Sequence, residues 1–408
     1  MKCSFCKNPL EHVFVDLVAS PPSNAYLTAE QVNRAEVYYP LKVWACEACW
    51  LVQVDDVAGR EVHFNENYAY FSSFSASLLA YSKAYVDSMV ARLGLNGDSH
   101  VVEVASNDGY LLQYLKPHGV PCLGVEPTAS TAAAAREKGV ETLGAFFGEE
   151  TATRLAAEGS SADLIVANNV MAHVPDIRDF AMGFKRLLKP QGTVTVEFQY
   201  LLNMVVKDQF DIVYHEHYSY LSLHAVKGIF EACGLTVYDV EEVSTQGGSL
   251  RVYGRHTDND TLTVTDSVAA QLAKEVAAGL TDVATYTRFQ AQADRVKDAF
   301  VEFLIAQKRA GKKVVAYGAA AKGTTMLNYA GIKPDLLAAV ADASPHKQGK
   351  YLPGSHIPIV SPEALQAMKP DVVVILPWNL KDEIAEQLAY VRAWGGKLAV
   401  YLPKLEVF

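Results

Sequence analysis

The sequence predicts an α/β fold in three parts: a small four-cysteine module followed by two Rossmann-like units. Three observations carry this prediction. Two Cys-x-x-Cys pairs, Cys3–Cys6 and Cys46–Cys49, sit near the start. Strand, small-residue turn and helix alternate from His100 to Phe198. The same alternation returns from Lys312 to Tyr401.

Composition narrows the possibilities. The chain has 408 residues, 50% hydrophobic and 20% charged, as expected for two or three globular domains. Lys plus Arg number 36 against 46 Asp plus Glu, for a net charge of −10. That balance argues against nucleic acid or an anionic membrane as the main partner. No apolar run reaches the roughly 18 residues a membrane helix needs. Met-Lys-Cys-Ser-Phe-Cys opens the chain without an apolar signal segment, so a cytoplasmic location is expected. In that compartment six cysteines point to metal or free thiols rather than disulfides.

The first part, residues 1–70, carries Cys3, Cys6, Cys46 and Cys49 as four thiolate ligands of one tetrahedral zinc. A redox dithiol is the rival, and it needs only one such pair. With four thiolates the metal is structural, and it supplies folding energy to a segment poor in apolar residues. Cys122 and Cys233 are left as buried free thiols. Pro21-Pro22-Ser23-Asn24-Ala25-Tyr26 reads as an irregular excursion, and Tyr38 to Trp44 as a strand. Asn67 to Ser73 is aromatic and hydroxyl-rich, suited equally to a core and to a cleft rim.

The second part, residues 71–255, opens with a helix from Leu78 to Leu93 that ends at Gly94. His100 to Val104 is a strand, and Ala105-Ser106-Asn107-Asp108-Gly109 is a turn that admits a ligand close to the backbone. Glu126 closes the next strand roughly twenty residues later, where an acid accepts ribose hydroxyls. Asp163 to Val170 is a third strand with Asn168 and Asn169 at its end. A helix from Phe180 to Leu188, stopped by Lys189-Pro190-Gln191-Gly192, leads to a strand from Thr193 to Phe198. The implied sheet is parallel, with ligands at the strand ends.

Between the two α/β patterns lies Tyr214-His215-Glu216-His217-Tyr218-Ser219-Tyr220. Such a run can hold a base, tune it with a carboxylate and donate to an oxyanion. His215 and His217 would share a face on a strand, so a metal site is the alternative, and a satisfied structural network is another. Residues 256–310 read as a helical connection, Pro-free from Val268 to Ala310. In the last part, residues 311–408, Lys322 follows a Gly-Ala-Ala-Ala loop at a helix start, a place that suits a pyrophosphate. Asp342 ends the next strand, and Trp378 follows a third, placed either to stack on a base or to pack.

Glu103 to Gly109, Gly124-Val-Glu126-Pro, Asp163 to Asn169 and Leu188 to Gly192 stand in the order found in class I S-adenosylmethionine-dependent methyltransferases, which the second part resembles. That resemblance implies a cofactor site at Glu103, Ala105, Asn107, Asp108, Gly109, Glu126, Asn168 and Asn169. The usual glycine is Ala105 here, and the Gly-x-Gly-x-x-Gly of a plain NAD domain is absent. End to end, the chain resembles the dTDP-sugar C-3′-methyltransferases of deoxysugar biosynthesis. The matching residues are Tyr68 to Ser73, Ala167 to Pro175, Tyr214 to His217, Gly247 to Arg251, Tyr317 to Gly323 and Asp342 to Gly349. The resemblance implies a monomer that takes S-adenosylmethionine, structural zinc and a dTDP-linked 4-keto-deoxysugar. Tyr68, His173, Tyr214, Glu216 and His217 would line the sugar pocket, with His217 as base. Tyr317, Gly318, Lys322, Asp342, Lys347 and Arg251 would bind the substrate. A C-5′ target, an NAD-dependent oxidoreductase or epimerase, and a non-catalytic scaffold that binds nucleotide sugars are the rival functions.

Overall fold

The computed structural model describes residues 1–55, 57, 59 and 71–408. Tyr68 lies outside the described residues. Alternation of apolar and polar side chains builds the first sheet. Strands β1 (His12–Ser20), β2 (Tyr39–Ala45) and β3 (Val52–Val54) pair antiparallel. Leu41, Val43 and Ala45 face the core, and Lys42 and Trp44 alternate with them. The four cysteines sit on two knuckles beside this sheet. Lys7 N–H returns to Cys3 O and Trp50 N–H to Cys46 O, at 3.1 and 2.8 Å.

The second sheet holds β4 (Val101–Val104), β5 (Cys122–Val125), β6 (Thr142–Leu143), β7 (Ala162–Asn168) and β8 (Leu188–Gln199). β9 (Ser219–Tyr220) leaves it and pairs antiparallel with β3, so the first sheet has order β1-β2-β3-β9. β10 (Leu235–Val243) and β11 (Ser249–His256) complete the second sheet in the order β10-β11-β8-β7-β4-β5-β6. β4 to β8 are parallel, as expected, and an antiparallel pair, β10 and β11, extends the sheet at the β8 edge. β4 lies between β5 and β7, and strand order reverses there, the place where such sheets take ligands.

The helix preceding β8 starts one turn earlier than its periodicity suggests. It spans Ile177–Leu187, because Asp176 caps it by accepting from Arg178 and Asp179 N–H. Ile177, Phe180, Ala181, Phe184 and Leu187 form its buried stripe. Leu188 passes straight into β8, so Lys189 to Gly192 is the start of a strand rather than a separate turn.

Three helices connect to the last part: Asp266–Ala277, Val283–Thr287 and Phe289–Arg309. Gly279, at φ 84°, and the Asp282 cap break what the sequence suggests is one long run. These helices fold back on the first sheet. The rings of Phe14 and Phe289 stack 4.3 Å apart, and Tyr286 meets Phe14 edge-on. Phe14 is fully buried, and truncating it to Ala would cost about 3–5 kcal/mol.

The third sheet contains β12 (Val314–Tyr317), β13 (Val340–Ala341), β14 (Ile359–Val360), β15 (Val372–Ile375), β16 (Lys397–Val400) and β17 (Glu406–Val407). Its order is β14-β13-β12-β15-β16-β17, parallel except for β17. The excursion between β1 and β2 docks on this unit. Leu27 bridges Tyr351, and Glu36 accepts from His356 Nε2 and Gly354 N–H, both at 2.9 Å.

Candidate active site

A cavity of about 380 Å³ opens at the carboxyl ends of β4, β5 and β7. Its far wall comes from the Tyr214–His217 segment, the excursion and the loop after β12.

The near wall is the turn after β4. Ala105 sits at φ 56° and Asn107 at φ 49°, a left-handed conformation that ordinarily calls for glycine. Ala105 keeps that path with a single methyl, so the backbone stays approachable. Glu126 pins the turn: Oε2 accepts from Asn107 N–H at 2.9 Å and Oε1 from Thr128 N–H at 2.8 Å. The carboxylate is buried and borders the cavity, with lone pairs beyond these two bonds. Asn168 and Asn169 border it too, Asn169 at φ 52°.

Three residues of the predicted cofactor set do not border the cavity; they brace its wall. Glu103 is buried within β4, and desolvation raises its carboxyl well above the usual carboxylate range. Asp108 pairs with Lys138 at 2.9 Å, and the same ammonium donates to Ser73 Oγ. Gly109, at φ 73°, packs against Val140 and Ala135, where a Cβ would come within 3.1 Å of Val140.

The far wall carries the titratable groups. The Tyr214–His217 stretch is a turn, not a strand, so its two histidines diverge. His215 Nε2 reaches the carbonyl of Pro40 at 3.1 Å and serves the first sheet. His217 turns into the cavity, so the pair does not converge on a metal. Its Nδ1 donates to Ile212 O at 2.8 Å, which leaves Nε2 as the basic nitrogen of the neutral ring. Burial, helped by His173 and Lys322, holds the His217 imidazole well below its ordinary value. The His173 ring crosses it edge-on at 4.6 Å, and the Tyr214 ring lies 4.0 Å away. Glu216 is also buried, and desolvation pushes its carboxyl up to about 7.

Lys322 and Lys347 reach the same cavity from the last part. Lys322 Nζ donates to Asn379 Oδ1 at 2.7 Å and lies 4.9 Å above the Trp378 ring. Trp378 itself packs, with its indole N–H on Asp211. The other predicted substrate residues point elsewhere. Arg251 is buried between Glu197 and Glu241, under Tyr81. Tyr317 reaches Gln387 at 3.4 Å, and Gly318 is pressed against Pro377. Asp342 spends both oxygens on the N–H groups of Ala319 and Ser344, at 2.8 Å each.

Asn24 joins the site without a sequence signal beyond the irregular excursion that carries it. It lines the cavity, and its Nδ2 donates to Glu216 Oε1 at 2.9 Å.

The metal centre is assembled as expected. The Cys3, Cys6, Cys46 and Cys49 sulfurs lie within 4.8 Å of one another. Gln53 Nε2 and Asn8 Nδ2 donate to the Cys3 and Cys6 sulfurs, both at 3.2 Å, the outer bonds a thiolate ligand uses. Four soft thiolates suit tetrahedral zinc.

Family models match the three parts in turn: a zinc binding domain over residues 3–64, a methyltransferase domain over 78–240 and a C-methyltransferase C-terminal domain over 244–403. The C-methyltransferase NovU of Streptomyces niveus is 34% identical over 406 residues, covering 100% of this chain and 96% of NovU. The chain belongs to this C-methyltransferase family. It is an S-adenosylmethionine-dependent enzyme with a zinc-binding module. Among solved structures, PH0226 from Pyrococcus horikoshii OT3 is 15% identical over 46% of this chain and 94% of its own, with a TM-score of 0.38. The magnesium protoporphyrin IX methyltransferase of Synechocystis PCC 6803 is 15% identical over 43% and 82%, with a TM-score of 0.35. Likeness at that level adds nothing to the family assignment. No helix among the described residues is long and apolar enough to cross a membrane.

Proposed function

We propose that this C-methyltransferase acts at C-3′ of a dTDP-linked 4-keto-6-deoxysugar. One observation carries the reading: His173, Tyr214, Glu216, His217 and Lys322 converge on a single cavity whose opposite wall is the turn after β4 with Glu126.

The ketone at C-4′ acidifies the neighbouring C-3′ hydrogen. His217 Nε2 takes that proton, and the electron pair moves onto the C-4′ oxygen. Tyr214 and His173 donate toward this oxyanion, with Tyr68 as a third candidate donor. Lys322 and Lys347 meet the pyrophosphate, and their charge favours the enolate side of the equilibrium. Glu126 and the turn N–H groups would hold S-adenosylmethionine, and Asn168 and Asn169 would border it. When bound, that cofactor supplies the electrophilic methyl group for the C-3′ carbon.

A second reading has a specific observation behind it. Glu216, pushed up to about 7, is matched to proton abstraction near neutrality, whereas His217 is a weaker base than an ordinary imidazole.

Mass analysis after incubation with S-adenosylmethionine and a panel of 4-keto dTDP-sugars tests the substrate. A gain of one methyl on C-3′ is expected; methylation at C-5′, or none, rejects the position. Hydrogen exchange in D₂O with a non-reactive cofactor analogue separates the bases. His217→Asn should bind sugar and abolish C-3′ exchange, while Glu216→Gln should slow it. The reverse pattern makes Glu216 the base.

A further inference from the structure

We propose that Asn24, carried by the four-cysteine module, is a positioning residue that fixes the orientation and charge of the Glu216 carboxylate. This rests on Glu216 facing the reacting sugar, as proposed above.

Among the described residues, Asn24 is the one side chain seen to donate to Glu216, at 2.9 Å. The carboxylate sets the amide orientation, since its oxygens accept and only the amide amino group can donate. Asn24 Oδ1 lies 3.3 Å from the Tyr26 hydroxyl, which itself donates to Ala319 O at 2.7 Å. A tight turn holds Asn24 in place, with Ala25 N–H on Pro22 O at 3.0 Å. Leu27 then bridges Tyr351 in the third unit. The two ends of the excursion lead back to Cys6 and Cys46, partners in the metal centre. The chain segment that carries Asn24 thus belongs to the same module as the four cysteines.

The electrostatics demand such a donor. A buried carboxylate with no partner takes up a proton instead of staying charged. Burial raises Glu216, and the Asn24 hydrogen bond is the opposing influence. The groups around the cavity that share its field are Tyr26 from the excursion, Tyr214 and His217 from its own segment, His173, and Lys322 and Lys347 from the third unit. Without Asn24 the carboxyl protonates at higher pH, so the ionised fraction falls at neutrality.

Infrared difference titration of the full-length zinc enzyme tests this without any sugar. The Glu216 carboxyl band is assigned by its loss in Glu216→Gln. In Asn24→Ala and in the uncharged, similarly sized Asn24→Leu, its midpoint should rise by about one pH unit, the scale of a lost charge-assisted hydrogen bond. On an active substrate, the acid limb of kcat/KM should move by the same amount, with the alkaline plateau kept. Zinc content and thermal stability equal to wild type exclude a structural cause. An unchanged midpoint in a folded Asn24→Leu overturns the proposal. Failure of every keto-sugar to react would reject the substrate reading alone and leave the titration to decide Asn24.

Discussion

The Trp378 indole nitrogen donates to Asp211 Oδ2 at 2.7 Å, and the Tyr401 hydroxyl donates to the same oxygen at 2.7 Å. Two residues of the third unit thereby grip the turn that leads into Tyr214 and His217. Lys322 lies over the Trp378 ring, so one of the two lysines that reach the cavity is seated on the same grip.

Asp211 makes this grip sensitive to pH. It is fully buried, and desolvation lifts its carboxyl to about 6 against the pull of Lys322, Tyr401 and Trp378. A carboxyl raised on folding favours the native state below its ordinary range, and that advantage is lost as pH rises through about 6. Asp211→Asn keeps an acceptor for both donors and cannot ionise. The variant should gain on wild type by up to ~3 kcal/mol as pH rises from about 4 to about 7. Urea unfolding across that range measures it. A gap between the two proteins that stays constant with pH would reject the assignment.

Freshly purified protein should contain one zinc per chain. Cys46→Ser should lose the metal and solubility together, because a four-thiolate site contributes folding energy directly. Elemental analysis that finds no zinc, or a soluble Cys46→Ser at wild-type stability, contradicts this.

With Glu126 proposed to hold the cofactor as well as the turn, its replacement should show two effects. Glu126→Ala should weaken S-adenosylmethionine binding by about 1.5–3 kcal/mol, the scale of a lost charge-assisted bond. It should also lower stability, since Asn107 and Thr128 N–H lose their acceptor. Calorimetry with unchanged affinity would separate Glu126 from the cofactor.

What the sequence reveals follows the range of each interaction. The cysteine pairs, the turn after β4 and Lys322 at its helix start are local patterns, and they appear where spacing puts them. Tyr214 to His217 is legible as a candidate site by composition alone. The direction of its side chains is not, since a turn sends His215 to Pro40 and His217 into the cavity. The resemblance assigns Arg251 to the substrate; its partners Glu197 and Tyr81 arrive from distant segments. Asn24 is the extreme case, 192 residues from Glu216 along the chain. β9 is similarly hidden, because two residues carry no periodicity and the strand exists only by pairing with β3.

That pairing bears on how such enzymes can be recombined. Val52 faces Tyr220 and Gln53 faces Ser219 across the β3–β9 ladder, immediately downstream of the Tyr214–His217 segment. A chimera that replaces the cysteine module with one from a relative would exchange the ladder partner of that segment and the loop beneath it. The natural unit of exchange is therefore not the module alone. Grafts should carry residues 1–55 together with the stretch from Phe210 to Leu223, or the transplanted protein will fold around a cavity wall that belongs to neither parent.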